Sequence, residues 1–96
     1  SLDNTHSKDV IISLLETCPD GSFILRISTK KDPNFIALTF VHNNKVKNAI
    51  INYMPGLRVF LFSTISFPNL EQLVSFFKVN PLSIAVPGID TVLIDE

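Results

Sequence analysis

Arg26 sits in the middle of a run that otherwise has the makings of a buried β-strand. Phe23–Ile27 reads FILRI, with apolar side chains at both parities, the pattern of a strand covered on both faces. Side chains alternate along a strand, so Ile24, Arg26 and Ser28 share one face while Phe23, Leu25 and Ile27 share the other. An unpaired guanidinium taken out of water costs several kcal/mol, so the chain must supply this one with a partner or a use. Few carboxylates stand near it in the sequence, whereas a hydroxyl lies two residues along on the same face. A bound anion is the economical reading. A structural arginine paired with a carboxylate, or placed at a sheet edge, is the alternative.

The surrounding sequence says what could cover that face. Ser7–Cys18 reads as an amphipathic helix with Val10, Ile11, Leu14, Leu15 and Cys18 at helical spacing and Ser7 as N-cap, stopped by Pro19-Asp20-Gly21. Strands are predicted over 22–29, 35–42, 45–53 and 57–63. The stretch KKDPN turns the chain between the first two, and Asn43-Asn44 makes a tight hairpin between the next two. A second helix follows Pro68, with Asn69 as its cap, Gln72 at the capping-box position and Leu70, Leu73, Val74 and Phe77 as its apolar stripe. Asn80-Pro81 stops it, and the remainder reads as a loop with one or two short β pieces. The fold class is α+β: a central antiparallel sheet flanked by two helices, one for each face.

Composition narrows the function classes. With 96 residues, 46% of them hydrophobic and 18% charged, the chain is expected to form one globular domain over 1–96. No apolar run reaches the roughly 18 residues of a spanning helix. A formal net charge of −1 gives no global basic field for nucleic acid, so any anion site is local. Neither a signal peptide nor an initiator Met is present, and the expectation is a piece of a longer protein. The single cysteine permits no internal disulfide and suits a cytoplasmic setting. A cysteine-loop phosphatase would need an arginine six residues after Cys18, where Ile24 stands. His6, His42 and Cys18 lack metal-ligand spacing, and the acidic residues form no catalytic pair, so neither an enzyme nor a metal or cofactor site is expected.

Several segments together resemble the Src homology 2 (SH2) family of phosphotyrosine-binding modules. DGSFILRIS is similar to the family's GxFLVRxS, ALTFVHNNKVKNAII to TLSFRHNGKVKHYRI, FPNLEQLVSFFKVNPL to FPSLxELVxxYxxNPL, and SKDVIISLL to the first-helix pattern SRxxAExLL. The match runs from about Ser7 to Leu82 in the family's element order. It implies that Arg26 binds the phosphate of phosphotyrosine from the floor of a pocket. Ser28, Thr29 and Lys30 or Lys31 would cradle the phosphate, and Lys8 would reach it from the first helix. A guanidinium makes a bidentate, charge-assisted fork with a phosphate.

The departures are informative. Asn48 stands where the family has histidine, and Ile50 where a Lys or Arg is frequent beside the tyrosine ring. Ala49 replaces a bulky residue that shapes the pocket for the ligand's following residues. Beyond Leu82 the family pattern is lost. The resemblance therefore implies a signalling adaptor, monomeric, that binds tyrosine-phosphorylated proteins with weak dependence on flanking sequence. Such a reduced specificity pocket is analogous to domains of bacterial effectors delivered into the host cytosol. The rival reading is an interaction domain of the same fold that leaves the pocket unused and binds unmodified protein through the apolar segments Val59–Phe62 and Ile65–Phe67, which otherwise read as a core strand and a core linker.

Overall fold

The computed structural model describes residues 2–3, 7–27 and 34–95. In chain order these form β1 (Leu2–Asp3), α1 (Lys8–Leu15), β2 (Phe23–Ile27), β3 (Phe35–His42), β4 (Lys45–Met54), β5 (Val59–Phe62), β6 (Ile65–Phe67) and α2 (Leu70–Val79), followed by a 3₁₀ turn at Leu82–Ile84. The strands make one sheet in the order β1-β2-β3-β4-β5-β6. β2 to β6 are antiparallel neighbours, and β1 adds a short parallel edge beside β2.

The two faces of the sheet are assigned by alternation. Phe23, Leu25, Ile36, Leu38, Phe40 and Ile51 point into the larger core, with Leu73 and Phe77 of α2, Phe62, Phe67 and the tail residues Leu82, Ala85, Ile89 and Leu93. The opposite face carries a smaller core in which Ile11 and Leu15 of α1 meet Val41, with Ile24, Val46 and Cys18 at its margin. β3 is buried from Ile36 to His42 because it lies between both layers.

Local signals account for the element ends. The Ser7 side chain accepts from the Val10 N–H, and the Asn69 side chain accepts from the Gln72 N–H at 2.8 Å. Asn43 and Asn44 both take the left-handed conformation, with φ 51° and 62°, as a two-residue hairpin requires. Asp20 reinforces that hairpin from outside, accepting from the N–H groups of Asn43 at 2.8 Å and Asn44 at 3.0 Å.

Four sequence expectations need correction. Helical spacing puts Val10 and Leu14 on the apolar stripe of α1, yet both are exposed: a helix lying on one sheet face buries a single line, here Ile11 and Leu15. β5 begins at Val59, not 57, because Leu57 and Arg58 belong to a turn in which both N–H groups bond to the Met54 carbonyl and Arg58 has φ 55°. Ile65–Phe67, expected as a core linker, is a strand paired to β5. The tail contains no strand among the described residues. Its backbone donors go instead to separate partners, Leu93 N–H to Phe77 and Ile94 N–H to Gly21, so no ladder forms.

Candidate functional site

Arg26 lies on the α1 face, and the sheet register shows what stands beside it. Across the strands Arg26 is level with Ala37 and Ile50, and Ile24 is level with Thr39 and Asn48. Directly opposed residues project to the same side. Alternation places this set on the same face as Val41 and Val46, which pack under α1. The α1-packed end of the face is therefore apolar, and the other end presents Arg26, Ala37 and Ile50. Ala37, in the middle of that row, offers only a methyl group between the guanidinium-bearing strand and Ile50. Ile50 is 49% exposed, an apolar surface open to a flat partner.

Arg26 is half-buried, and its Nε is buried with no hydrogen-bond partner among the described residues. Most buried polar atoms in folded proteins are satisfied, so an unsatisfied one calls for a physical reason. In the parallel pairing of β1 with β2, the Asp3 and Arg26 backbones are adjacent.

One polar link spans the face. The Thr39 hydroxyl, on a residue only 1% exposed, donates to Asn48 Oδ1 at 2.6 Å. Asn48 itself is exposed. Lys8 is the first residue of α1 and is exposed. Ser28, Thr29, Lys30 and Lys31, expected to follow Arg26 into the site, lie outside the described residues, as does His6. The structure thus brings Arg26, Asn48 and Ile50 to one face and places Lys8 at the start of the helix that covers part of it.

The remaining singled-out residues do structural work. His42 is buried at the hairpin end, with Nδ1 2.6 Å from Thr91 Oγ1, and so ties the tail to the sheet. Cys18 is partly buried at the margin of the smaller core, its thiol donating to the Leu14 carbonyl. No group of three potential metal ligands occurs among the described residues. Of the three phenylalanines in the two apolar segments considered as a protein-binding surface, Phe62 and Phe67 are committed to the core and Phe60 packs partly buried against it. Two backbone N–H donors, Asn44 before Asn43, hold the Asp20 carboxyl below the usual carboxylate range.

Thr39, Ala37 and β1 were not anticipated from the sequence. The first two were within reach of it. A two-residue hairpin at Asn43-Asn44 sets His42 opposite Lys45, and counting back from there sets Thr39 opposite Asn48 and Ala37 opposite Ile50. β1 carried no signal, because a two-residue strand is too short to show a period.

A family model for the SH2 domain matches residues 4–77. The chain belongs to the SH2 family. SH2 domains are binding modules that generally recognise phosphotyrosine peptides. Among solved structures, the chain is similar to the VAV1 SH2 domain complexed with a tyrosine-phosphorylated peptide from SLP76, at 26% identity and TM-score 0.83 over 96% of this chain. It is also similar to the SH2 domain of human proto-oncogene protein VAV1, at 26% identity and TM-score 0.80 over 97% of this chain. The chain spans 65% and 66% of the length of those two chains. The SH2 domain of the Monosiga brevicollis CRK/CRKL homolog shares the fold at 21% identity and TM-score 0.74, over 95% of this chain and 80% of that one. No curated protein sequence matches. Since the structural likeness covers at least 95% of this chain, it reaches past the end of the family-model match at residue 77 and past Leu82 into the tail, where the family's sequence pattern is lost. No helix among the described residues is long and apolar enough to cross a membrane.

Proposed function

We propose that residues 1–96 act as a single, monomeric phosphotyrosine-peptide-binding module in a cytoplasmic signalling adaptor, with Arg26 as the phosphate-binding group. The observation that carries this reading is the buried Nε of Arg26 on the α1 face, which has no hydrogen-bond partner among the described residues, at the position of the family's signature arginine. A phosphate dianion supplies what that nitrogen lacks: a strong acceptor and a compensating charge of about −1.5 to −2 at neutral pH. Family membership supports the ligand class, and the VAV1 SH2 domain binds a tyrosine-phosphorylated peptide.

In this reading Ser28, Thr29 and Lys30 donate to the phosphate from the segment that follows β2, and Lys8 approaches from α1. Asn48 donates from β4, and the exposed Ile50 packs against the phenol ring. The small Ala37 between Arg26 and Ile50 leaves room for that ring over the sheet. Binding uses charge-assisted hydrogen bonds and ring burial, and no covalent step is involved.

Weak dependence on flanking sequence rests on Ala49, which lies on the opposite face of β4 and is packed against the large core. A methyl group there provides little surface for the residues after the phosphotyrosine. The analogy with host-directed bacterial effectors rests on that feature alone.

The test is titration calorimetry of the domain with a tyrosyl peptide in phosphorylated and unphosphorylated forms. Binding is expected only with phosphate, abolished in Arg26→Ala and poor in Arg26→Lys, whose point charge cannot form the two-pronged contact. Phosphopeptide binding by Arg26→Ala within about twofold of the parent, a difference of only ~0.4 kcal/mol, would refute the assignment. Affinity is also expected to fall below about pH 6, as the phosphate loses its second charge.

A further inference from the structure

Thr39 is a polar residue where the fold has little reason for one. Its side chain is 1% exposed, and its sheet neighbours on the same face are Ile24 on β2 and Asn48 on β4. Water cannot reach the hydroxyl, so a protein acceptor must satisfy it. That acceptor is Asn48 Oδ1 at 2.6 Å, towards the short end of the range for O–H···O bonds. The β-branched threonine has a stiff χ1, so the backbone of a central strand sets the direction of its hydroxyl. An exposed asparagine would otherwise rotate freely. Here one end of its amide is fixed from below. With Oδ1 occupied, the Nδ2 group, which has no hydrogen bond among the described residues, is turned away from Thr39 and has two protons to give.

We propose that Thr39 is a positioning residue for ligand recognition: its buried hydroxyl locks the Asn48 amide so that the NH2 group is presented to a phosphate-ester oxygen of the bound phosphotyrosine. The inference rests on the function proposed above and assigns this chain's own donor geometry within it. Thr39 touches no ligand. It acts by removing the rotational freedom that Asn48 would otherwise lose on binding, a loss of the size that accompanies immobilising one interface side chain.

The test compares Thr39→Val, which keeps the shape and loses the hydroxyl, with Thr39→Ser, which keeps the hydroxyl and loses a buried methyl. Asn48→Ala and the Thr39→Val/Asn48→Ala double variant complete a cycle. Affinity for a phosphotyrosyl peptide is read by calorimetry, and stability by thermal melting. Thr39→Val is expected to bind about three- to tenfold more weakly, while Thr39→Ser binds within about twofold of the parent although it melts no higher than Thr39→Val. In the Asn48→Ala background the valine substitution is expected to change affinity no further. In ligand-free protein, the two Asn48 side-chain amide proton resonances should move toward free-amide shifts in Thr39→Val and stay in place in Thr39→Ser.

The proposal is overturned if Thr39→Val binds like the parent, if serine and valine weaken binding alike, or if valine is equally harmful without Asn48. Unchanged Asn48 amide resonances in Thr39→Val overturn it too. A parent domain that fails to bind the phosphopeptide removes the functional reading and this inference together. A parent that binds through Arg26, with an unaffected Thr39→Val, removes this inference alone.

Discussion

Replacing Arg26 with methionine separates a ligand-binding arginine from a structural one. Methionine keeps an unbranched apolar stem that can follow the path of the arginine methylenes and brings no donor. A buried donor without a partner costs about 1–3 kcal/mol. Arg26 as a whole is only half-buried, and Nε is its one buried nitrogen without a partner among the described residues, so the lower part of that range applies, about 1–2 kcal/mol. The ligand-free Arg26→Met domain is therefore expected to be more stable than the parent by that amount. In a domain of this length each kcal/mol moves the thermal midpoint by about 4–8 °C. Differential scanning calorimetry of both proteins without ligand measures the shift, and calorimetric titration shows that Arg26→Met no longer binds phosphopeptide. Gain of stability with loss of binding marks a residue kept at a cost to the empty fold. A fall of the midpoint by several degrees would refute the reasoning, because it would mean that Arg26 is held by an internal acceptor and contributes to the fold as an ion pair.

Three further outcomes are expected. Gly21→Ala should destabilise by about 2–4 kcal/mol in urea unfolding: Gly21 has φ 94°, an added Cβ would stand 2.4 Å from the Val92 carbonyl oxygen, and strain of about 1–3 kcal/mol adds to a weakened Ile94–Gly21 backbone bond. Asp20 has a carboxyl pKa lowered in the fold by the Asn44 and Asn43 N–H groups, so its contribution is present above the unfolded value and is lost as pH falls through the folded one. The stability difference between the parent and Asp20→Ala should accordingly persist at neutral pH, begin to shrink in melts below about pH 4 and vanish only once the pH is under the lowered folded value. A phosphoserine version of a good phosphotyrosine ligand should bind no better than the unphosphorylated peptide, and alanine at each ligand position after the phosphotyrosine should cost less than ~1 kcal/mol by calorimetry. One such position costing several kcal/mol would show that the tail rebuilds a specificity pocket.

Much of this architecture was legible because local signals and global packing agree. Asn43-Asn44 reads as a hairpin since asparagine tolerates the left-handed conformation that both residues adopt. Asn69 reads as a cap since its side chain can satisfy an orphan N–H, and it does so at Gln72. The candidate site was legible in part for the same reason: alternation alone sets Arg26 on the face opposite Leu25, and the register then brings Asn48 and Ile50 to it. The tail was not legible. Its residues carry apolar side chains at spacings compatible with a strand, but Leu82, Ile89 and Leu93 are buried by closing over the large core, not by pairing.

The sequence by itself determined the sheet with a helix for each face, the hairpin between β3 and β4, and an arginine on one face of an otherwise apolar strand. These follow from side-chain period and from the few residues that accept unusual backbone angles, properties that a short segment carries with it. Tertiary structure decided which line of α1 is buried, so that Ile11 and Leu15 are inside while Val10 and Leu14 face water. It decided that Gly21 must stay a glycine, because the tail returns across it. It also decided that Thr39 is sealed from solvent beneath an exposed Asn48. Each of these depends on what a distant part of the chain covers, and burial of that kind has no period that a local stretch of sequence can display.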